Sequence, residues 1–216
     1  MAGMLSILHQ AIAWGNIEWA RELISSGEEN PAAKDGDGMN ALHVACRYGH
    51  LDLVKELVEQ GIGIESRDNS GLTPIAMACF FDHEDVIRLL FQKGGDINSK
   101  DDENDAPLHH ACYYGSIKTV RFLLDHGADP DARGSVDDTP LHEACRKGHP
   151  EIVRLLLDVG ADSGKRNAGG HTPLDLCVGL LPTDNPHREE IIDLFREYAP
   201  ELVMERFCAA SQAPGM

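Results

Sequence analysis

Eleven histidines and six cysteines are the side chains here best equipped for proton transfer, nucleophilic attack or metal binding. Their spacing argues against each. His9, His43, His109 and His142 fall at one position of a period near 33 residues, and His50 and His149 at another, each directly after a glycine. A catalytic histidine needs a partner set of its own, so a histidine recurring in register is expected to serve the scaffold. His110 and His126 lie outside both registers, with no obvious partner. Cys46, Cys79, Cys112 and Cys145 form a third column, beside the alanines Ala11, Ala45, Ala78, Ala111 and Ala144. There cysteine behaves as a small core hydrophobe. No CxxC occurs and no histidine stands at ligand spacing from a cysteine pair, so no metal or other cofactor is expected. The sequence holds no Gly-rich phosphate loop, HExxH or GxSxG, and no apolar pocket is legible that would separate two carboxylates in pKa. An enzyme is not expected, nor a small-molecule substrate.

Composition narrows the classes further. The formal net charge is −17, which disfavours nucleic acid and anionic membrane surfaces. A basic partner is the electrostatic complement; an acidic surface that only maintains solubility is the more common case. No run approaches the roughly 18 apolar residues of a membrane span. Residues 1–8 lack the basic and apolar regions of a secretory signal. Thiols that stay reduced in a buried row point to the cytoplasm or nucleus.

The elements that must position these residues come from the period itself. Leu8, Leu42, Ile75, Leu108, Leu141 and Leu174 are spaced 34, 33, 33, 33 and 33 residues, and Gly27, Gly61, Gly94, Gly127 and Gly160 repeat alongside. A fixed period of this length means stacked supersecondary units in one array, since no unit buries its apolar face alone. Each central unit reads as a turn, a short helix, a Gly break and a longer helix. Thr73-Pro74, Thr139-Pro140 and Thr172-Pro173 combine a good N-cap with a proline at the first helical position. The boundaries follow: a capping unit over 1–34, central units over 35–67, 68–100, 101–133 and 134–166, and a closing unit over 167–198 with an inserted loop at 181–186. Ile191, Ile192 and Phe195 are expected inward on the last long helix, with Glu189, Glu190 and Glu197 in water. Residues 199–216 form a tail, with a short helix near 201–210 and disorder over 211–216.

Thr139-Pro140-Leu141-His142-Glu143-Ala144, then Gly148-His149, Ile152-Val153, Leu155-Leu156-Leu157 and Gly160-Ala161-Asp162, resemble an ankyrin repeat almost position for position. The resemblance covers residues 5–198 in about six units. It implies an all-α repeat solenoid of helix-turn-helix units, with β-hairpin finger loops and a concave face that binds other proteins without catalysis. It also implies that the first histidine column ties neighbouring units together through ring N–H groups. Asp82 for the inter-helix glycine, Asn104 for the finger glycine and Ile75-Ala76 for Leu-His are departures.

The pair of residues ending each first helix would then face the groove: Ala13-Trp14, Arg47-Tyr48, Phe80-Phe81, Tyr113-Tyr114 and Arg146-Lys147. Six of the chain's twelve aromatics fall in these dipeptides, where the scaffold does not require them. Aromatic anchors flanked by arginine are the material of binding hot spots. Leu72, on a finger, joins the set. The fingers carry Asp35, Asp37, Asp68, Asp101, Asp102, Glu103, Asp105, Asp137 and Asp138. A basic column, Lys34, Arg67, Lys100, Arg133 and Arg166, precedes them and reads as a surface ion-pair ladder worth at most about 1 kcal/mol per pair. The expected function is capture of a partner's extended peptide or helix by a monomer. Phe80, Phe81, Tyr113 and Tyr114 would anchor it, with Trp14 and Tyr48 extending the strip. Asp102, Glu103 and Asp105 would meet a base, and Arg146 and Lys147 an acid. Two alternatives use the same features: a chromatin reader of a basic or methyl-lysine tail, and a substrate adaptor of a ubiquitin ligase docking through residues 200–210.

Overall fold

The computed structural model describes residues 6–210, the side chains of 208–210 apart; the tail segment 211–216 lies outside the described residues. The helices are α1 Ile7–Ala13, α2 Ile17–Ser26, α3 Ala41–Arg47, α4 Leu51–Glu59, α5 Pro74–Phe80, α6 Glu84–Gln92, α7 Pro107–Tyr114, α8 Ile117–Asp125, α9 Pro140–Lys147, α10 Pro150–Asp158, α11 Pro173–Leu180, α12 Pro186–Tyr198 and α13 Pro200–Ala210. A single 3-10 turn covers Ser135–Asp137, and no strand occurs among the described residues. The chain forms two compact parts, one ending at His110 and one beginning at Ala111.

The short helices begin where their caps dictate. Ser6, Thr73 and Thr172 accept the N–H three residues on, and Pro74, Pro140 and Pro173 open their helices. Histidine replaces the usual acid of a capping box. His43 Nδ1 accepts the Asn40 N–H at 3.3 Å, and His142 Nδ1 accepts the Thr139 N–H at 3.1 Å. With Nδ1 accepting, the ring proton sits on Nε2, which donates to the next finger: His43 to Leu72 O at 3.2 Å and His142 to His171 O at 3.0 Å. His9 reaches Met39 O at 3.0 Å in the same way. Each ring thus satisfies one helix start and one loop carbonyl at once.

The second register holds one member more than its sequence spacing suggested, His83. His50, His83 and His149 place Nε2 on Ile12 O, Arg47 O and Tyr113 O at 2.9, 3.0 and 3.2 Å. These rings also lie over the turn glycine of the preceding helix pair. A Cβ on Gly49 would sit 2.5 Å from the His83 ring, and one on Gly115 2.7 Å from His149. Both glycines have positive φ, so backbone and packing require the same residue.

The core is the leucine, alanine and cysteine columns. Leu8, Leu42, Ile75 and Leu108 in the first part, and Leu141 and Leu174 in the second, are at most 1% exposed, and all four columnar cysteines are fully buried. The long helices add Leu53, Val54 and Leu57, then Val86, Ile87 and Leu90, at helical spacing. Each such side chain contributes about 1.5–3 kcal/mol on burial. On α12, Ile191, Ile192 and Phe195 are buried and Glu189, Glu190 and Glu197 exposed, as the pattern requires. That helix starts at Pro186 rather than after it, capped by Asn185.

The fingers are tight turns. In each, the first residue's N–H bonds the fifth residue's carbonyl, as in Asp35 to Met39 at 2.8 Å and Asp68 to Leu72 at 3.0 Å. Asp35, Asp68 and Asp101 also accept two N–H groups of their own turn on Oδ1. The fourth residue has positive φ, including Asn104 at 71° and Asp137 at 61°. The basic column behaves differently from an ion-pair ladder. Lys34 donates to Arg67 O at 2.7 Å, Arg67 to Lys100 O, and Arg133 to Arg166 O at 3.2 Å. Carbonyls of the turn one period on are in reach, so the column stitches finger to finger.

Candidate functional site

Every helix-end residue singled out from the sequence lies at or next to a helix C-terminus, where side chains leave the packed face. Trp14 caps α1 and is 72% exposed. Arg47 ends α3 half-buried, followed by the exposed Tyr48. Phe80 ends α5 half-buried, followed by the exposed Phe81. Tyr113 and Tyr114 end α7, and Arg146 and Lys147 end α9.

In the part up to His110, four of these residues come together. Arg47, Leu72, Phe80 and Phe81 line one cavity of about 290 Å³ with Met39 and Met77, and Asp37 and Asp68 complete its polar wall. The Phe80 and Phe81 rings meet at 5.0 Å. The Arg47 guanidinium stands 5.1 Å from the Phe81 centroid and 5.9 Å from that of Tyr48, within cation–π range of both. Trp14 and Tyr48 do not line the cavity, nor do Asp102, Glu103 and Asp105. Asp102 and Glu103 are exposed on the turn before α7, and the Asp102 N–H is bound to Ser70 O at 3.0 Å.

Met39 and Met77 were not among the residues singled out from the sequence. Met39 was within reach of the period, since it precedes Leu72 by 33 residues. Met77 projects from the middle of α5, and only the fold brings it to the cavity.

His110 also has more company than its place outside the registers suggested. Nε2 lies 3.0 Å from Asp101 Oδ2, and its ring centroid is 5.5 Å from that of Phe80. Burial pushes the Asp101 carboxyl up, but the His110 hydrogen bond and the turn N–H groups outweigh it and hold the group below its usual value. His126 turns back on its own helix, 2.7 Å from Phe122 O.

In the part from Ala111, the Tyr113 and Tyr114 rings meet edge to face at 4.9 Å, and Lys147 Nζ is 3.8 Å from the Tyr113 centroid. Partial burial, then the neighbouring Tyr113, raise the Tyr114 phenol. Arg146 is already engaged. It pairs with the buried Asp138 and faces Glu143 Oε2 at 3.7 Å. Its charge is therefore largely compensated within the chain, unlike the sequence expectation of an acid-seeking arginine.

Among the described residues no group of three or more His, Cys, Asp or Glu side chains is placed to hold a metal, and no helix is long and apolar enough to cross a membrane.

Comparison with known proteins agrees with the period. The family described as ankyrin repeats (three copies) matches residues 8–101, 65–134 and 108–198. A homolog of transient receptor potential cation channel subfamily A member 1 from Caenorhabditis elegans is 40% identical over 55 residues, 26% of this chain and 4% of that protein. A putative ankyrin repeat protein of fowlpox virus (strain NVSL) is 41% identical over 51 residues, 24% of this chain and 36% of that one. The matches thus span only a small share of either relative. Ankyrin repeats are in general protein-interaction modules on a non-enzymatic scaffold. With all but its ends covered by that match, this chain belongs to the ankyrin repeat family.

Proposed function

We propose that the chain is a protein-interaction module that seats an apolar side chain of an extended partner segment in the Leu72–Phe80–Phe81 cavity. The observation that carries this reading is the cavity of about 290 Å³, walled by two methionines, a leucine and two phenylalanines at helix ends. That volume is near the lower limit for a ligand pocket and suits one side chain better than a whole small molecule. Phe81 and Tyr114 remain 37% and 47% exposed, an apolar cost that a partner would remove. Phe80 supports Phe81 from beside it, and Tyr113 with Tyr114 gives a second aromatic contact. Trp14 and Tyr48 extend the apolar surface, and Asp102, Glu103 and Asp105 offer charge to a basic residue of the partner. The chain acts as a monomer without catalysis, and its five buried, unpaired cysteines suit the reducing cytoplasm or nucleus.

Recognition of a methyl-lysine tail is less well supported. That ligand needs a free ring face, and the Arg47 guanidinium already stands 5.1 Å from the Phe81 centroid. The ligase-adaptor reading rests on α13, whose Val203 is buried and whose Arg206 is tied to Asp175 at 2.9 Å.

Proximity labelling with the wild type should identify a protein that the variant Phe81→Ala, Tyr114→Ala no longer labels, while the helical spectrum and melting of that variant stay unchanged. Equal labelling of that protein by both forms would overturn the assignment.

A further inference from the structure

Arg47 differs from the other basic side chains around it. Arg21, Arg88, Arg146, Arg166 and Arg206 each face a carboxylate within 4.0 Å, and Arg67 and Arg133 bond carbonyls. The guanidinium of Arg47 contacts two aromatic rings and forms no ion pair among the described residues. This occurs in a chain with 36 acidic and 19 basic residues, where a carboxylate partner is easily found. The rings hold the planar group by its faces. Their contact leaves its in-plane N–H groups, the ones that match a carboxylate, without a carboxylate partner.

The neighbouring acids are committed elsewhere. Asp68 Oδ1 accepts the Ser70 and Leu72 N–H groups at 2.8 and 2.9 Å, which fixes it in its turn. Asp37 lines the same cavity and is exposed. These two carboxylates repel an acid placed on their side of the rim, and the net charge of −17 repels it at long range. A partner's acid is therefore stabilised at one point only, beside the apolar cavity. Such an arrangement sets register and specificity more than affinity.

We infer that Arg47 is a carboxylate-reading subsite: the partner segment carries an aspartate or glutamate at a fixed, short offset from the apolar residue that fills the Leu72–Phe81 cavity. The assignment rests on the interaction reading given above and specifies its ligand.

The test uses the full chain and a displayed library of random twelve-residue peptides as probe. Wild type should select an apolar position with Asp or Glu at one offset. Arg47→Glu should keep the apolar position and replace the acid by Lys or Arg at that offset, with the wild-type peptide bound roughly a hundredfold more weakly. Arg47→Lys should keep the acid with about a tenfold loss, because the bidentate fork is gone. Phe81→Ala should lose the apolar position. A consensus that Arg47→Glu leaves unaltered, or a wild-type preference for a basic residue at the offset, overturns the Arg47 assignment alone. Failure of wild type to select any apolar position overturns the interaction reading and this inference with it.

Discussion

His110 Nε2 lies 3.0 Å from Asp101 Oδ2, both side chains largely buried, while the other oxygen of Asp101 holds two N–H groups of its own turn. One finger is thereby fixed to one helix by a charge-assisted bond. Thirty-three residues later both partners change together: Gly134 stands at the aspartate position and Glu143 at the histidine position. A glutamate beside an aspartate there would set two carboxylates together, and glycine avoids it. His110→Ala should cost about 1–3 kcal/mol, because it leaves the Asp101 oxygen desolvated and unpaired. His110→Glu should cost more, through like-charge repulsion. Urea unfolding at neutral pH measures both; equal stability of the two variants would show that the pair is not coupled.

Val136 should be a site of stored strain. Its φ is 49° and ψ 30°, a left-handed conformation that a β-branched residue seldom adopts, and Asp137 follows at φ 61°. The side chain is 62% exposed, so little packing is lost on its removal. Val136→Gly is expected to raise stability by about 1 kcal/mol. Asn104→Gly, at a position asparagine tolerates, should change it by only a few tenths. Thermal melts of the two variants side by side check the contrast.

Stability should fall on mild acidification. Burial chiefly, opposed by carbonyl hydrogen bonds, holds the His43 and His142 rings below their ordinary value of 6.5. Above that value both folded and unfolded chains are neutral, and the full contribution is present. As pH drops below it, the unfolded chain takes up protons that the folded rings refuse, so unfolding becomes easier until the folded rings titrate. The melting temperature measured from pH 7.5 to pH 5 should decline, and less so in His142→Gln. A flat profile would contradict the neutral, Nε2-protonated assignment.

Native thiol reactivity should be slow. Burial raises the thiols of Cys46, Cys79, Cys112 and Cys145 and pushes Cys177 up to about 12. At pH 8 a thiol-specific reagent should modify these five only at the rate of unfolding, and at once in denaturant. Rapid modification of the folded chain, mapped by peptide mass to any of the five, would contradict that burial.

The sequence by itself determined the helical period, the family, the buried columns and the scaffold role of the histidines. Those properties repeat at fixed spacing, and each rests on contacts that recur from one period to the next. Only the tertiary structure decided which exposed side chains act together. Arg47 and Arg146 occupy the same position in the period. One meets aromatic rings and the other a buried aspartate, because Met39, Leu72 and Asp138 differ at one finger position. The same holds for His110, whose partner is a turn residue nine positions away rather than a register neighbour. Period fixes backbone placement, but the charge left uncompensated at a helix end depends on what the adjoining finger presents, and that is settled by folding.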